Sequence, residues 1–181
     1  MIFLDLEGTL IDDLENRNLL QDNIKSIKVR MDYYFDCFRI SGKNKHSGKR
    51  FGIFTFGWLE KKEIDFELIK IIENNLDMVL GYDSNENPMI IVKETVMNNL
   101  KAHGNFKCAK GISISEKEML FNEQFNKQQA FIEFVKNEWI GTQQILIDDQ
   151  VERINITFPL SKTMIKMFNV NDLKKEQSIM G

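Results

Sequence analysis

Five acidic or hydroxyl-bearing residues lie at or just beyond short apolar runs of this chain. Asp5 and Glu7 follow Ile2–Leu4, Thr55 lies near the end of Gly52–Phe56, and Asp148-Asp149 follow Ile145–Ile147. A carboxylate beside a phosphoryl group can attack it, dividing one difficult displacement into two through an aspartyl-phosphate. An anionic nucleophile approaches an anionic phosphate only when charge is neutralised. A hard divalent cation such as Mg²⁺ does this by taking carboxylate and phosphate oxygens together. Fixed hydroxyl and ammonium donors then stabilise the charge that develops on the transferring oxygens.

Such residues need a scaffold that gathers the ends of several strands. The apolar runs Ile2–Leu4, Gly52–Phe56, Met78–Leu80, Ile145–Ile147 and Met164–Phe168 read as buried strands. Between them, Ile24, Ile27, Met31, Tyr34, Phe35 and Phe38 share a helical face, which predicts a long helix from about Leu14 to Phe38. Ile64, Leu68, Ile69, Ile72 and Leu76 predict a second helix. Phe131, Phe134 and Val135 predict a third that runs toward Trp139 and stops near Gly141. Strands alternating with helices imply an α/β, Rossmann-like fold, a mostly parallel sheet with helices on both faces. Such sheets place chemistry at the carboxyl ends of their strands, where these polar residues fall. Residues 81–125 fit helices with a short strand at Met89–Val92, or a small accessory insertion in a single domain spanning 1–181.

Composition narrows the function classes. A chain of 181 residues with 43% hydrophobic and 28% charged content can bury one substantial core. Its net charge of −3 makes no global case for a nucleic-acid partner. Cys37 and Cys108 supply neither a disulfide framework nor a zinc spacing, and Asp5 and Glu7 arrive too early for a signal peptide. No run approaches the roughly 18 apolar residues of a membrane span. A cytoplasmic protein with no membrane partner is expected.

The segment Ile2-Phe3-Leu4-Asp5-Leu6-Glu7-Gly8-Thr9-Leu10 resembles the opening motif of haloacid-dehalogenase-like hydrolases, an apolar strand followed by Asp-x-Asp-Gly-Thr-Leu. Phe51-Gly52-Ile53-Phe54-Thr55 is similar to the second motif of that family, and Ile145-Leu146-Ile147-Asp148-Asp149 to the fourth. The third is a lone lysine near the start of the helix before the last of these strands. Lys127 fits best, because 148 − 127 = 21 residues accommodate a helix, a turn and a strand, while Lys93 and Lys117 compete with it. The resemblance covers Ile2 to Asp149 and implies a Mg²⁺-dependent phosphatase with little or no cap. It makes Asp5 the nucleophile and Thr55 and Lys127 the phosphoryl-binding groups. The metal would be held by Asp5, Asp148, Asp149 and the backbone carbonyl of Glu7. Glu7 departs from the usual Asp, the general acid and base; the enolase-phosphatase branch has a similar Asp-x-Glu-Gly-Thr motif. Phosphorylated substrates are implied, with nucleotides or nucleic-acid terminal phosphates ahead of small metabolites.

Two rival functions use the same residues. A DEDD-type exonuclease would take Asp5 and Glu7 as two-metal ligands, but that reading predicts Thr-Gly after the glutamate, and here Gly8-Thr9-Leu10 follows. A binding protein that keeps the fold without turnover is the other. The stretch Lys43 to Arg50, carrying Lys45, His46 and Lys49, reads first as a solvated loop and second as a nucleic-acid contact. Phe56-Gly57-Trp58 offers a stacking face beside Thr55, although packing is the commoner use of such a tryptophan.

Overall fold

The computed structural model describes residues 1–38 and 50–180. Five parallel strand positions make up most of one sheet. β1 (Ile2–Leu4) lies between β2 (Arg50–Thr55) and β5 (Gln143–Asp148), and β7 (Thr163–Asn169) lies outside β5. Two short strands, β3 (Val79–Leu80) and β4 (Ile90–Val92), share the far side of β2. β3 pairs with Arg50–Phe51 and β4 with Ile53–Thr55, so they are two pieces of one strand position, interrupted by a turn around Asp83–Asn87. β6 (Ile154–Phe158) closes the other edge antiparallel to β7. The chain is therefore α/β with a mostly parallel, mixed sheet.

Period-two alternation sends neighbouring side chains to opposite faces of the sheet. Leu4, Ile53 and Ile147 point to one face, where α1 (Gln21–Phe38), α2 (Phe66–Leu76) and α6 (Val170–Met180) cover them through Ile27, Ile72 and Leu173. Phe3, Phe54 and Leu146 point to the other, beneath α3 (Lys93–Ala102), α4 (Ile114–Gln124) and α5 (Lys127–Glu138). Each such side chain buried contributes about 1.5–3 kcal/mol. Burial on both sides explains why β1, β2 and β5 are continuous apolar runs. On the second face Phe131, Phe54 and Phe56 form an aromatic column, with centroids 5.0 and 5.3 Å apart, that leads from the core to the carboxyl end of the sheet.

The predicted long helix begins later than its periodicity suggests. Residues 14–20 belong to a loop, and α1 starts at Gln21. Asp12 accepts from the backbone N–H groups of Asp13 and Asn18 and from the Asn18 amide, while Asp13 accepts from Asn16. These local side-chain bonds compete with helix formation, and Arg17 sits at φ 58°, outside the helical region. The side chains of Tyr34, Phe35 and Phe38 lie outside the described set, as do Lys43, Lys45, His46 and Lys49. Residues 81–125 form the turn, β4, α3 and α4, whose Val92, Val96, Leu100 and Phe121 join the two cores. Among the described residues no helix is long and apolar enough to cross a membrane.

Candidate active site

From β1 the chain winds outward through β2 to β3 and β4, then returns past β1 to β5 and β7. The direction of winding changes between β1 and β5, and ligands of open α/β sheets bind where it does. Asp5 immediately follows β1, and its N–H donates to the Ile147 carbonyl of β5 at 3.2 Å. Asp148 ends β5. Register alone thus brings the two acids side by side.

Lys127 bridges them. Its ammonium lies 2.7 Å from Asp5 Oδ1 and forms a second ion pair with Asp148 Oδ2. All three side chains are buried, at 7% exposure for Lys127, 6% for Asp5 and none for Asp148. The lysine is delivered by the first residue of α5. A reciprocal capping box fixes that helix start: Gln129 N–H donates to Asn126 Oδ1 at 2.8 Å, and Asn126 N–H to Gln129 Oε1 at 3.2 Å. Aromatic rings line its path, with Nζ 5.6 Å from the Phe56 centroid and 6.0 Å from that of Phe54.

The electrostatics follow from burial. Desolvation pushes Asp5 up to about 7, assisted by the charges of Asp148 and Asp149 and opposed by Lys127. For Lys127, desolvation would lower the pKa, but the facing carboxylates of Asp5 and Asp148 outweigh it and hold the group above its ordinary value. Asp149 is raised by desolvation and then by the neighbouring Asp148. Excess negative charge is thus confined beside one positive charge.

A carboxylate oxygen from each of Asp5, Asp148 and Asp149 lies within 4.8 Å of the other two. Asp148 Oδ1 accepts from Gln150 N–H at 2.8 Å, whereas Oδ2 is fully buried and receives no aligned hydrogen bond, only the ion-pair contact of Lys127. A buried oxygen with unused acceptor capacity, in a set of hard oxygen donors, fits a divalent cation such as Mg²⁺.

Gly8 makes the approach of Asp149 possible. Its φ is +76°, and a Cβ there would fall 2.2 Å from Asp149 Oδ2. Thr9 Oγ1 donates to Asp149 Oδ1 at 3.4 Å, while Asn23 Nδ2 holds the Gly8 and Thr9 carbonyls at 3.3 and 3.0 Å. From the end of β7, Asn169 Nδ2 donates to the carbonyls of Asp149 and Val151 at 3.1 and 3.0 Å and so pins the turn that follows β5. Asn23 and Asn169 escaped the sequence reading. The one available signal was a polar residue ending the apolar run Met164–Phe168.

Thr55 is fully buried at the end of β2, and its Oγ1 accepts from Gly57 N–H at 3.3 Å, which leaves its own O–H free to donate elsewhere. Glu7 is not among the carboxylates that lie within 4.8 Å of one another. Its Oε1 accepts from Leu14 N–H at 3.1 Å, and its Cδ would be 3.2 Å from a Cβ at position 57, so a glycine there admits it. Of the competing lysines, Lys117 donates to Asn98 Oδ1 on α3. Lys93 pairs with Glu118 at 3.3 Å and lies 5.6 Å from the Phe56 centroid. Trp58 is buried in the core, so no stacking face comes from it.

Compared with models of protein families, with curated proteins and with solved structures, the chain finds no match.

Proposed function

We propose that this chain is a Mg²⁺-dependent phosphohydrolase of the haloacid-dehalogenase-like type, acting through a phosphorylated Asp5. The observation that carries the proposal is the buried Lys127 ammonium set between Asp5 and Asp148 at the carboxyl ends of adjacent central strands. A cation and paired carboxylates there match the needs of phosphoryl transfer, in which positioning and charge neutralisation supply most of the catalysis.

Asp5, Asp148, Asp149 and the Glu7 carbonyl would hold Mg²⁺, which when bound neutralises the repulsion between carboxylate and phosphate. An Asp5 oxygen attacks phosphorus, forming the O–P bond as the ester O–P bond breaks. Lys127 and the Thr55 hydroxyl donate to the transferring oxygens. Glu7, held by the Leu14 N–H, protonates the departing oxygen and then takes a proton from the water that cleaves the aspartyl-phosphate. The exonuclease alternative needs Glu7 facing the same ions as Asp5, and the Glu7 carboxylate is instead engaged by the loop at Leu14.

The test is phosphate release, with and without Mg²⁺, from nucleotides, 5′-phosphorylated oligonucleotides, sugar phosphates and an aryl phosphate. Metal-dependent release that Asp5→Asn abolishes is expected. Release that survives in Asp5→Asn would sink the mechanism, and none from any substrate would favour a binding protein.

A further inference from the structure

From the placement of Lys93 we infer a second anion subsite beside the reaction centre, one that selects phosphomonoesters carrying a second phosphoryl group. The inference rests on the phosphohydrolase reading of the Asp5 site.

Helix starts carry partial positive charge, so a cation is disfavoured there. Yet both helices that open at this end of the second sheet face, α3 and α5, begin on a buried lysine. For Lys127 two carboxylates offset the cost. Lys93 pairs with Glu118 at 3.3 Å, and that carboxylate is itself 33% exposed while the lysine side chain is only 10% exposed. α3 also starts without a capping side chain: Val92 occupies the cap, and the first two N–H groups go to the Trp58 and Leu59 carbonyls.

Phe56 ties this lysine to the reaction centre. Both ammonium groups lie 5.6 Å from its ring centroid, so they are separated by at most twice that distance. The strand register agrees, since Val92 pairs with Thr55 and Lys93 therefore emerges level with the end of β2. A substrate whose reacting phosphoryl group lies at Asp5, Thr55 and Lys127 would present a second anion to Lys93. That anion would displace the partly exposed Glu118. Charge-assisted contacts of this kind discriminate by about tenfold or more.

Two sources share this chemistry, a small bisphosphate and a phosphorylated nucleic-acid end. The test therefore compares fructose 1,6-bisphosphate with fructose 6-phosphate, and a 5′-phosphorylated dinucleotide with a nucleoside 5′-monophosphate. Whichever pair shows the larger kcat/KM ratio identifies the source. In Lys93→Met, which keeps the buried stem, that ratio should fall tenfold or more, and Lys93→Arg should restore it in part. Glu118→Gln removes the competing carboxylate and should raise the ratio. A purely structural ion pair predicts an equal loss for both members of each pair in both variants, and that result overturns the subsite. Calorimetric binding of the same ligands to Asp5→Asn, with and without Lys93→Met, separates this proposal from the hydrolase reading. Preference for the doubly charged ligand that vanishes with Lys93 upholds the subsite even if the parent protein releases no phosphate. Equal binding of both ligands to Asp5→Asn refutes it.

Discussion

Replacing Asp5 by Asn should stabilise the metal-free protein, and by an amount that grows with pH. Burial raises Asp5 from 3.8 to about 7. At about 1.4 kcal/mol per pH unit, keeping that carboxylate ionised costs the fold roughly 4 kcal/mol. The sign follows from proton counting. Below 3.8 Asp5 is protonated in both states and contributes nothing. Between 3.8 and 7 the unfolded chain releases the proton while the folded one keeps it, so stability falls as pH rises. Above 7 the penalty is complete. Asn carries no such charge. Urea unfolding of both proteins in chelator at intervals from pH 4 to pH 8 should show the stability of Asp5→Asn relative to the parent widening by roughly 4 kcal/mol. Comparing the change with pH cancels any fixed packing cost of the amide. A gap that stays flat, or narrows toward pH 8, would show that Lys127 outweighs burial and that Asp5 rests as an ordinary ion pair.

The same proton must leave when a cation binds, so Mg²⁺ affinity should rise from pH 6 toward 7 by up to about tenfold per pH unit and level off above. Calorimetry in buffers of different ionisation heat should detect proton release at pH 6, and none there would contradict the assignment of Asp5 to the metal. Glu7→Gln should slow hydrolysis of alkyl phosphates at least tenfold more than that of aryl phosphates, because only a poor leaving group needs the proton. Equal losses would restrict Glu7 to holding the loop at Leu14. Gly8→Ala should cost about 1–2 kcal/mol for the left-handed backbone alone, plus displacement of Asp149, so Mg²⁺ affinity should fall more than Tm. Unchanged metal binding would show that Asp149 is dispensable to the site.

The strands that carry the site were legible in the sequence because both of their faces are covered, which leaves a continuous apolar run before each polar terminus. Ile145–Ile147 followed by two aspartates is the clearest case. Distance from Asp148 alone places Lys127 near a helix start; the Asn126–Gln129 capping box that fixes it there emerges only in the fold. Local hydrogen bonds defeated the periodicity ahead of α1, since Asp12 and Asp13 capture backbone donors that a helix would need. α4 was illegible for a different reason. Only Phe121 on it is fully buried, and Met119 is 65% exposed, so it presents no apolar stripe. β6 alternates half-buried and exposed residues at an edge, a weak signal over five positions. The tie from Asn169 to residues 149 and 151 depends on strands adjacent only in space, so no local pattern announces it.

The broken strand beside β2 bears on how this molecule behaves among copies of itself. An unprotected sheet edge is a template on which a foreign strand can add rung after rung. Here β3 offers two residues and β4 three, and between them the Asp83 carboxylate gathers the N–H groups of Asn85 and Asn87 into a tight turn, followed by Pro88. An incoming strand would meet that obstruction after one or two rungs. At the opposite edge, β6 turns the polar Asn155 and Thr157 to solvent and ends beside Pro159. The interruption that splits this strand position in two is also what stops the sheet from growing.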